Sequence, residues 1–126
     1  MKKVISTDKA PKAIGPYSQG ILVGKFLFIS GQIAIVPETG ELIKGDIESE
    51  TEQILKNIKA IVEEEDGSME NIVKTTIYLK DMSNFSRVNE IYGKFFTPMP
   101  PARATVEVSN LPKGTDIEIE AIAVLD

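Results

Sequence analysis

The chain contains no cysteine, no histidine and no tryptophan. Without cysteine there are no disulfides and no thiolate nucleophile, a composition that agrees with a cytoplasmic protein. The missing histidine excludes more. There is no Ser-His-Asp or Cys-His machinery, no imidazole base and no His-ligated zinc. Any catalysis falls to carboxylates, Tyr, Lys, Arg, hydroxyls, backbone groups or water. Asp and Glu alone can still hold a hard cation, but no loop has the ligand spacing of a calcium site, so no metal is expected. No apolar run approaches the ~18 residues of a membrane helix. The start, Met1-Lys2-Lys3-Val4-Ile5-Ser6, has no long apolar stretch after its lysines and does not read as a secretory signal. Positive charge is also in short supply: 14 Lys and Arg face 19 Asp and Glu, for a net charge of -5 and a pI near 4.8. Nucleic-acid binders carry a basic face that releases counterions, and these scattered lysines argue against one.

What is present suits one domain spanning residues 1–126. The length is ordinary, and 42% apolar residues are enough for a core. No linker or repeat divides the chain. Val4-Ile5-Ser6 reads as a short strand. Gly20–Val23 and 25–30 read as two strands joined tightly at Gly24. A helix follows, with Ser49 and Glu52 at capping-box spacing and Asp46 as a rival cap. Ile47, Thr51, Ile54, Leu55, Ile58, Ile61 and Val62 give it one apolar face. The acidic run from Glu63 opposes the macrodipole and predicts a turn at Gly67. Residues 72–80 form a β-branched strand. Residues 84–96 form a second helix that buries Phe85, Val88, Tyr92 and Phe95 and stops at Pro98, Pro100 and Pro101. Strands over 103–108 and 117–125 close the chain. The order β-β-β-α-β-α-β-β predicts an α+β fold, two helices on one mixed sheet. In the last strand Ile117, Ile119, Ala121 and Ala123 share one face, yet Ile122 and Val124 make the other apolar too. A sheet covered by helices on one side should be polar on the other, so this pattern predicts a homo-oligomer.

Of the basic residues only Arg87 and Arg103 are arginine. Arg103 opens a strand after a double proline. Alternation there puts Arg103, Thr105 and Glu107 on one face and Ala102, Ala104, Val106 and Val108 on the other. A guanidinium on a rigid strand can clamp both oxygens of a small carboxylate, or serve in a plain salt bridge. Neighbouring strands could bring Glu118 beside it, with Glu118 handling a proton or a water and Glu120, of the same parity, as its rival. Tyr17 sits on the rigid loop Gly15-Pro16-Tyr17-Ser18, either lining a pocket or packing on its own loop. Ser30-Gly31-Gln32 ends a strand where a ligand could approach the backbone, or is an ordinary turn. Asn89 lies one residue off the apolar stripe of the second helix and reads as a partly buried hydrogen-bonding residue. The glycines form no phosphate-binding pattern.

Several segments together resemble the RidA/YjgF family of reactive-intermediate deaminases. They are Ala13-Ile14-Gly15-Pro16-Tyr17-Ser18, Ser30-Gly31-Gln32, Ile72-Val73-Lys74-Thr75-Thr76, Val88-Asn89-Glu90-Ile91-Tyr92, Pro101-Ala102-Arg103, Leu111-Pro112-Lys113-Gly114 and Ile117-Glu118-Ile119-Glu120-Ala121. The resemblance implies a chorismate-mutase-like fold, and homotrimers with a central β-barrel and a ligand cleft at each subunit interface. It implies a hydrolase that converts 2-iminobutanoate, 2-iminopropanoate and related enamines to 2-oxo acids and ammonia. These intermediates come from pyridoxal-phosphate-dependent dehydratases, and no cofactor is implied for the deaminase. Carried over residue by residue, Arg103 is the arginine that marks deaminase members, Glu118 the water-handling glutamate and Tyr17 the pocket tyrosine. Ser30, Gly31, Asn89 and Thr105 complete the substrate contacts. Many members have Ser-Cys or Ser-Ser where this chain has Ala104-Thr105, so the backbone N–H of Thr105 is the expected contact. The alternative is a non-catalytic regulatory module that binds small carboxylates. An endoribonuclease or translation-inhibitor role fits the acidic charge less well.

Overall fold

The computed structural model describes every residue from Met1 to Asp126. Six strands, β1 (Lys2–Ile5), β2 (Gly20–Val23), β3 (Phe26–Gln32), β4 (Ile72–Leu79), β5 (Ala102–Glu107) and β6 (Ile117–Val124), form one mixed sheet in the order β1-β2-β3-β6-β4-β5. Only β4 and β5 run parallel. A parallel pair needs a crossover, and α2 (Phe85–Phe95) supplies it. The longer α1 (Ile47–Glu63) packs on the same face, beside α2 and over β3 and β6. The fold is α+β, two helices on one mixed sheet.

The core lies between the helices and one sheet face. Ile54, Leu55, Ile58, Ile61 and Val62 of α1 meet Leu27 and Ile29 of β3, Ile77 and Leu79 of β4, and Ile117, Ile119, Ala121 and Ala123 of β6. The expected apolar stripe of α1 is thus the buried one. On α2, Val88 and Tyr92 are buried, but Phe85 and Phe95 are only half-buried; Phe96, just past the helix, takes the inner place. The far sheet face carries Ile21 and Val23, Phe26 and Phe28, Ile122 and Val124, and Tyr78 and Val106, which the register places side by side. Nothing in the single chain covers it, and Phe28 is 46% exposed.

Local chemistry differs from the sequence reading at both ends of α1. Asp46, not Ser49, occupies the N-cap position, and no capping box forms there. The Ser49 hydroxyl instead donates to Asp46 Oδ2 at 2.6 Å, and Asp46 makes no side-chain cap hydrogen bond to the helix. A capping box does form downstream, between Ser68 and Asn71. At the C-terminal end the left-handed residue is Asp66 (φ 60), not Gly67. Gly67 is needed for another reason: a Cβ there would lie 2.8 Å from Leu125 Cδ2 and 3.0 Å from Val62 Cγ2.

Candidate functional site

The site residues fall into two groups on opposite faces of the sheet. In the β4–β5 register Arg103 lies opposite Thr75, whereas Glu118 of β6 lies opposite Tyr78, which is paired with Val106. Arg103 therefore shares the helix-covered face with Thr75, and Glu118 shares the open face with Val106. Strand β4 also separates β5 from β6. The expected approach of Arg103 and Glu118 on one face of adjacent strands does not occur within a chain. The sequence order of the last two strands hid this, because their connection is not a hairpin.

The arginine group sits at the sheet edge, at a cleft lined by Asn89, Tyr92, Phe96, Pro98, Pro101 and Arg103. Arg103 donates from one terminal nitrogen to Asn89 Oδ1 at 2.8 Å. Its guanidinium lies 5.0 Å from the Tyr92 ring centroid and 5.3 Å from that of Phe85, within cation–π range of both. Tyr92 is itself fixed by a 2.5 Å hydrogen bond between its hydroxyl and Thr75 Oγ1. Asn89 thus has the hydrogen-bonding role its position suggested, and it acts on the arginine. One acceptor uses one N–H of five, so most of the fork remains available. Two residues on, Thr105 has a buried hydroxyl with no hydrogen-bond partner.

The carboxylate group lines a cleft of about 550 Å³ built from Tyr17, Gln19, Ser30, Gly31, Glu118 and Glu120, among others. Residues 30–31 lie inside β3, where the pairing with β6 slips between Ile29 and Gln32. Such bulges re-aim side chains and commonly border functional sites. A Cβ on Gly31 would lie 2.9 Å from the Glu118 carboxyl carbon and closer still to Oε2. Glycine at 31 is what lets the carboxylate lie across the strand. Burial first, and the charge of Glu120 second, push the Glu118 carboxyl above the usual carboxylate range. Tyr17 is 49% exposed, and its hydroxyl accepts weakly from the Ile14 N–H at 3.4 Å. It lines the cleft and steadies its own loop at once.

A residue that sequence reasoning missed fastens this wall. Gln19 is buried at 4% exposure. Its oxygen accepts from the Thr7 N–H at 2.7 Å, and its nitrogen donates to the carbonyls of Thr7, Ala10 and Pro11 at 3.1, 3.2 and 2.7 Å. Ser30 Oγ donates to the Ser18 carbonyl at 2.5 Å, tying the Tyr17 loop to β3. Ser30 also lines the cleft, and its hydroxyl oxygen can still accept a hydrogen bond there. The signal in the sequence was a lone glutamine in a loop of small residues, which no periodicity flags. Asn57 does the same on α1, donating to the carbonyls of Ile33 and Ile35 at 3.4 and 3.0 Å. No group of three or more acidic side chains is arranged to hold a metal ion.

These features define an α+β protein with two candidate half-sites: an arginine positioned by Asn89 and two aromatic rings on one face of the sheet, a half-buried carboxylate on the other. The chain belongs to the RidA/YjgF family, whose profile, described as Endoribonuclease L-PSP, matches residues 7–125. A RutC family protein of Pyrococcus horikoshii is 58% identical over 98% of this chain and 98% of its own. The human 2-iminobutanoate/2-iminopropanoate deaminase is 48% identical over 98% of this chain and 90% of its own. The crystal structure of Escherichia coli TdcF with bound serine superposes with a TM-score of 0.94 at 42% identity, covering 98% of this chain and 99% of that one. No helix is long and apolar enough to cross a membrane.

Proposed function

We propose that the chain hydrolyses 2-imino acids, such as 2-iminobutanoate and 2-iminopropanoate, to 2-oxo acids and ammonia. The observation that carries this reading is the arginine cradle. Asn89, Tyr92 and Phe85 hold Arg103 while leaving it donors for a carboxylate. The human relative bears the name of this activity, and TdcF holds an amino acid.

The opposite-face placement of Arg103 and Glu118 is accommodated if each cleft is shared. The open apolar sheet face packs against neighbouring copies in a homotrimer. Arg103, with the Thr105 hydroxyl or backbone N–H, then comes from one subunit, and Tyr17, Gly31 and Glu118 from the next. Arg103 binds the substrate carboxylate and fixes the adjacent imine carbon. A water adds its oxygen to that carbon, and the C=N π pair moves to nitrogen. Glu118 takes one water proton and returns it to nitrogen, giving a carbinolamine. The C–N bond then breaks as the hydroxyl oxygen forms the C=O bond and passes its remaining proton to Glu118; ammonia leaves and the 2-oxo acid remains. The protonated imine is already electrophilic, so a carboxylate suffices; such positioned proton transfer contributes ~10²–10⁴-fold.

The test is a coupled assay in which a threonine dehydratase generates the imine and semicarbazide traps it. Wild type should lower the trapped fraction and speed oxo-acid release. Arg103→Ala should do neither while keeping its assembly state, and Arg103→Lys should recover little, since an ammonium cannot copy the fork. Near-normal turnover by Arg103→Ala would refute the mechanism. The second reading, a carboxylate-binding module without turnover, is favoured by the serine held in TdcF. It predicts ligand binding with no change in trapped imine.

A further inference from the structure

The cleft at Glu118 continues beyond its own volume. A second cavity of about 500 Å³ adjoins it, and Lys12 and Lys113 line both. The only other charged residue in the second cavity is Asp8, and its remaining walls include Ile14, Ile35 and Pro37. The two cavities together fall in the range of sites for ligands larger than a four-carbon acid. Neither lysine joins any of the ion pairs of the fold.

Lys113 has a second peculiarity. Its backbone is left-handed, at φ 58 and ψ 18. For a residue with a Cβ this conformation is disfavoured, and lysine lacks the short polar side chain that offsets the cost in Asn and Asp. Gly114 follows with φ 66 and incurs no such cost. The loop therefore carries a strained residue with a long cationic side chain where the two cavities meet, and strain of this kind clusters at ligand clamps.

We infer that Lys12 and Lys113 form a second anion subsite, which receives the distal carboxylate of a substrate whose first carboxylate is held by Arg103. The inference rests on the deaminase reading above and extends its substrate class to imines of dicarboxylic amino acids. Two flexible ammonium groups suit the task, because a point charge on a mobile stem follows side chains of different length, whereas the guanidinium fork fixes the end that reacts. Lysines outnumber Asp8 in the outer cavity, so an anion is favoured there.

The experiment compares wild type with Lys12→Met, Lys113→Asn and the double variant. Asparagine is chosen at 113 because it tolerates the left-handed backbone. An amino-acid oxidase generates 2-iminoglutarate or 2-iminobutanoate, and semicarbazide reports the imine that escapes. The double variant should lose about tenfold in kcat/KM on 2-iminoglutarate, equivalent to ~1.4 kcal/mol, and stay within about twofold on 2-iminobutanoate. Equal losses on both substrates, or no loss on 2-iminoglutarate, would overturn the subsite. Titration calorimetry with 2-oxoglutarate and 2-oxobutanoate separates this inference from the reading beneath it. If wild type hydrolyses neither imine, the deaminase reading fails. The subsite then stands only if wild type binds 2-oxoglutarate more tightly and the double variant loses that preference; equal affinities in wild type reject it.

Discussion

Arg103 is held by one hydrogen bond and two aromatic faces, and the hydrogen bond sets its direction. Removing the acceptor in Asn89→Ala leaves the guanidinium charged but free to swing. Small misplacements in a positioned site are costly, so kcat/KM should fall about tenfold or more, with the fold and assembly unchanged by circular dichroism and light scattering. At the other half-site, the proposed mechanism requires Glu118 ionised, and its raised pKa then places the acid limb of the pH–rate profile above the ordinary carboxylate range. Activity should rise with pH through that limb. Burial is the larger cause and persists, but Glu120→Gln removes the neighbouring charge, so the limb should move to lower pH. A limb that stays in place would show that another group titrates. Gly31→Ala drives a Cβ into the Glu118 carboxylate and should remove most activity from a folded protein. Much of this was legible in the sequence. Arg103 stood out through the scarcity of arginine, Asn89 through its place beside an apolar stripe, and Gly31 through its position in a strand. Gln19 was not legible, because its worth lies in backbone carbonyls that only the folded loop gathers.

At the scale of elements, α1 buries three polar residues among its apolar ones, Glu50, Thr51 and Asn57, and the Thr51 hydroxyl donates to the Ile47 carbonyl. Asn57 is satisfied by the 33–35 segment. Glu50 is 0% exposed, and neither of its carboxyl oxygens has a hydrogen-bond partner. Burial and the adjacent Asp116 raise its pKa from 4.5 to about 7. A raised carboxyl pKa means that the folded state binds the proton more tightly than the unfolded one. Stability should therefore fall as pH climbs from about 4.5 to about 7, by up to ~3 kcal/mol, and level off above. Glu50→Gln should flatten that slope and raise the melting temperature at pH 8 more than at pH 5; equal effects at both would dismiss the buried proton. The sequence showed α1 and its stripe because six apolar residues and Thr51 repeat at helical spacing. It did not show Glu50, which a helical pattern reads as surface, nor the α1 cap, where the Asp46–Ser49 contact competes with capping. Gly67 was marked as a turn by its type, yet close packing against Leu125 is the reason for it. Gly67→Ala should cost ~1–3 kcal/mol by overpacking, read as a lower denaturation midpoint at constant slope.

Across the whole molecule, the expectation of an apolar far face held: Phe26 and Phe28 lie there beside Ile122 and Val124. What the sequence could not supply was strand order. β4 inserts between β5 and β6, and the two halves of the site part company. This makes a complementation experiment decisive. Arg103→Ala and Glu118→Ala should each be inactive, yet an equal mixture refolded together should recover about a quarter of wild-type turnover. In a closed ring with shared clefts, chance pairs two intact halves at one interface in four. A site contained within one chain would recover nothing. Phe28→Asp should give monomers by light scattering and lose activity with them. If the clefts are shared as proposed, the same geometry makes dilution a switch. A chain fresh from the ribosome has every residue it needs and no working cleft. Its output per molecule should climb with the square of concentration until rings fill, so that the cell acquires the activity as a threshold in abundance rather than in proportion to it.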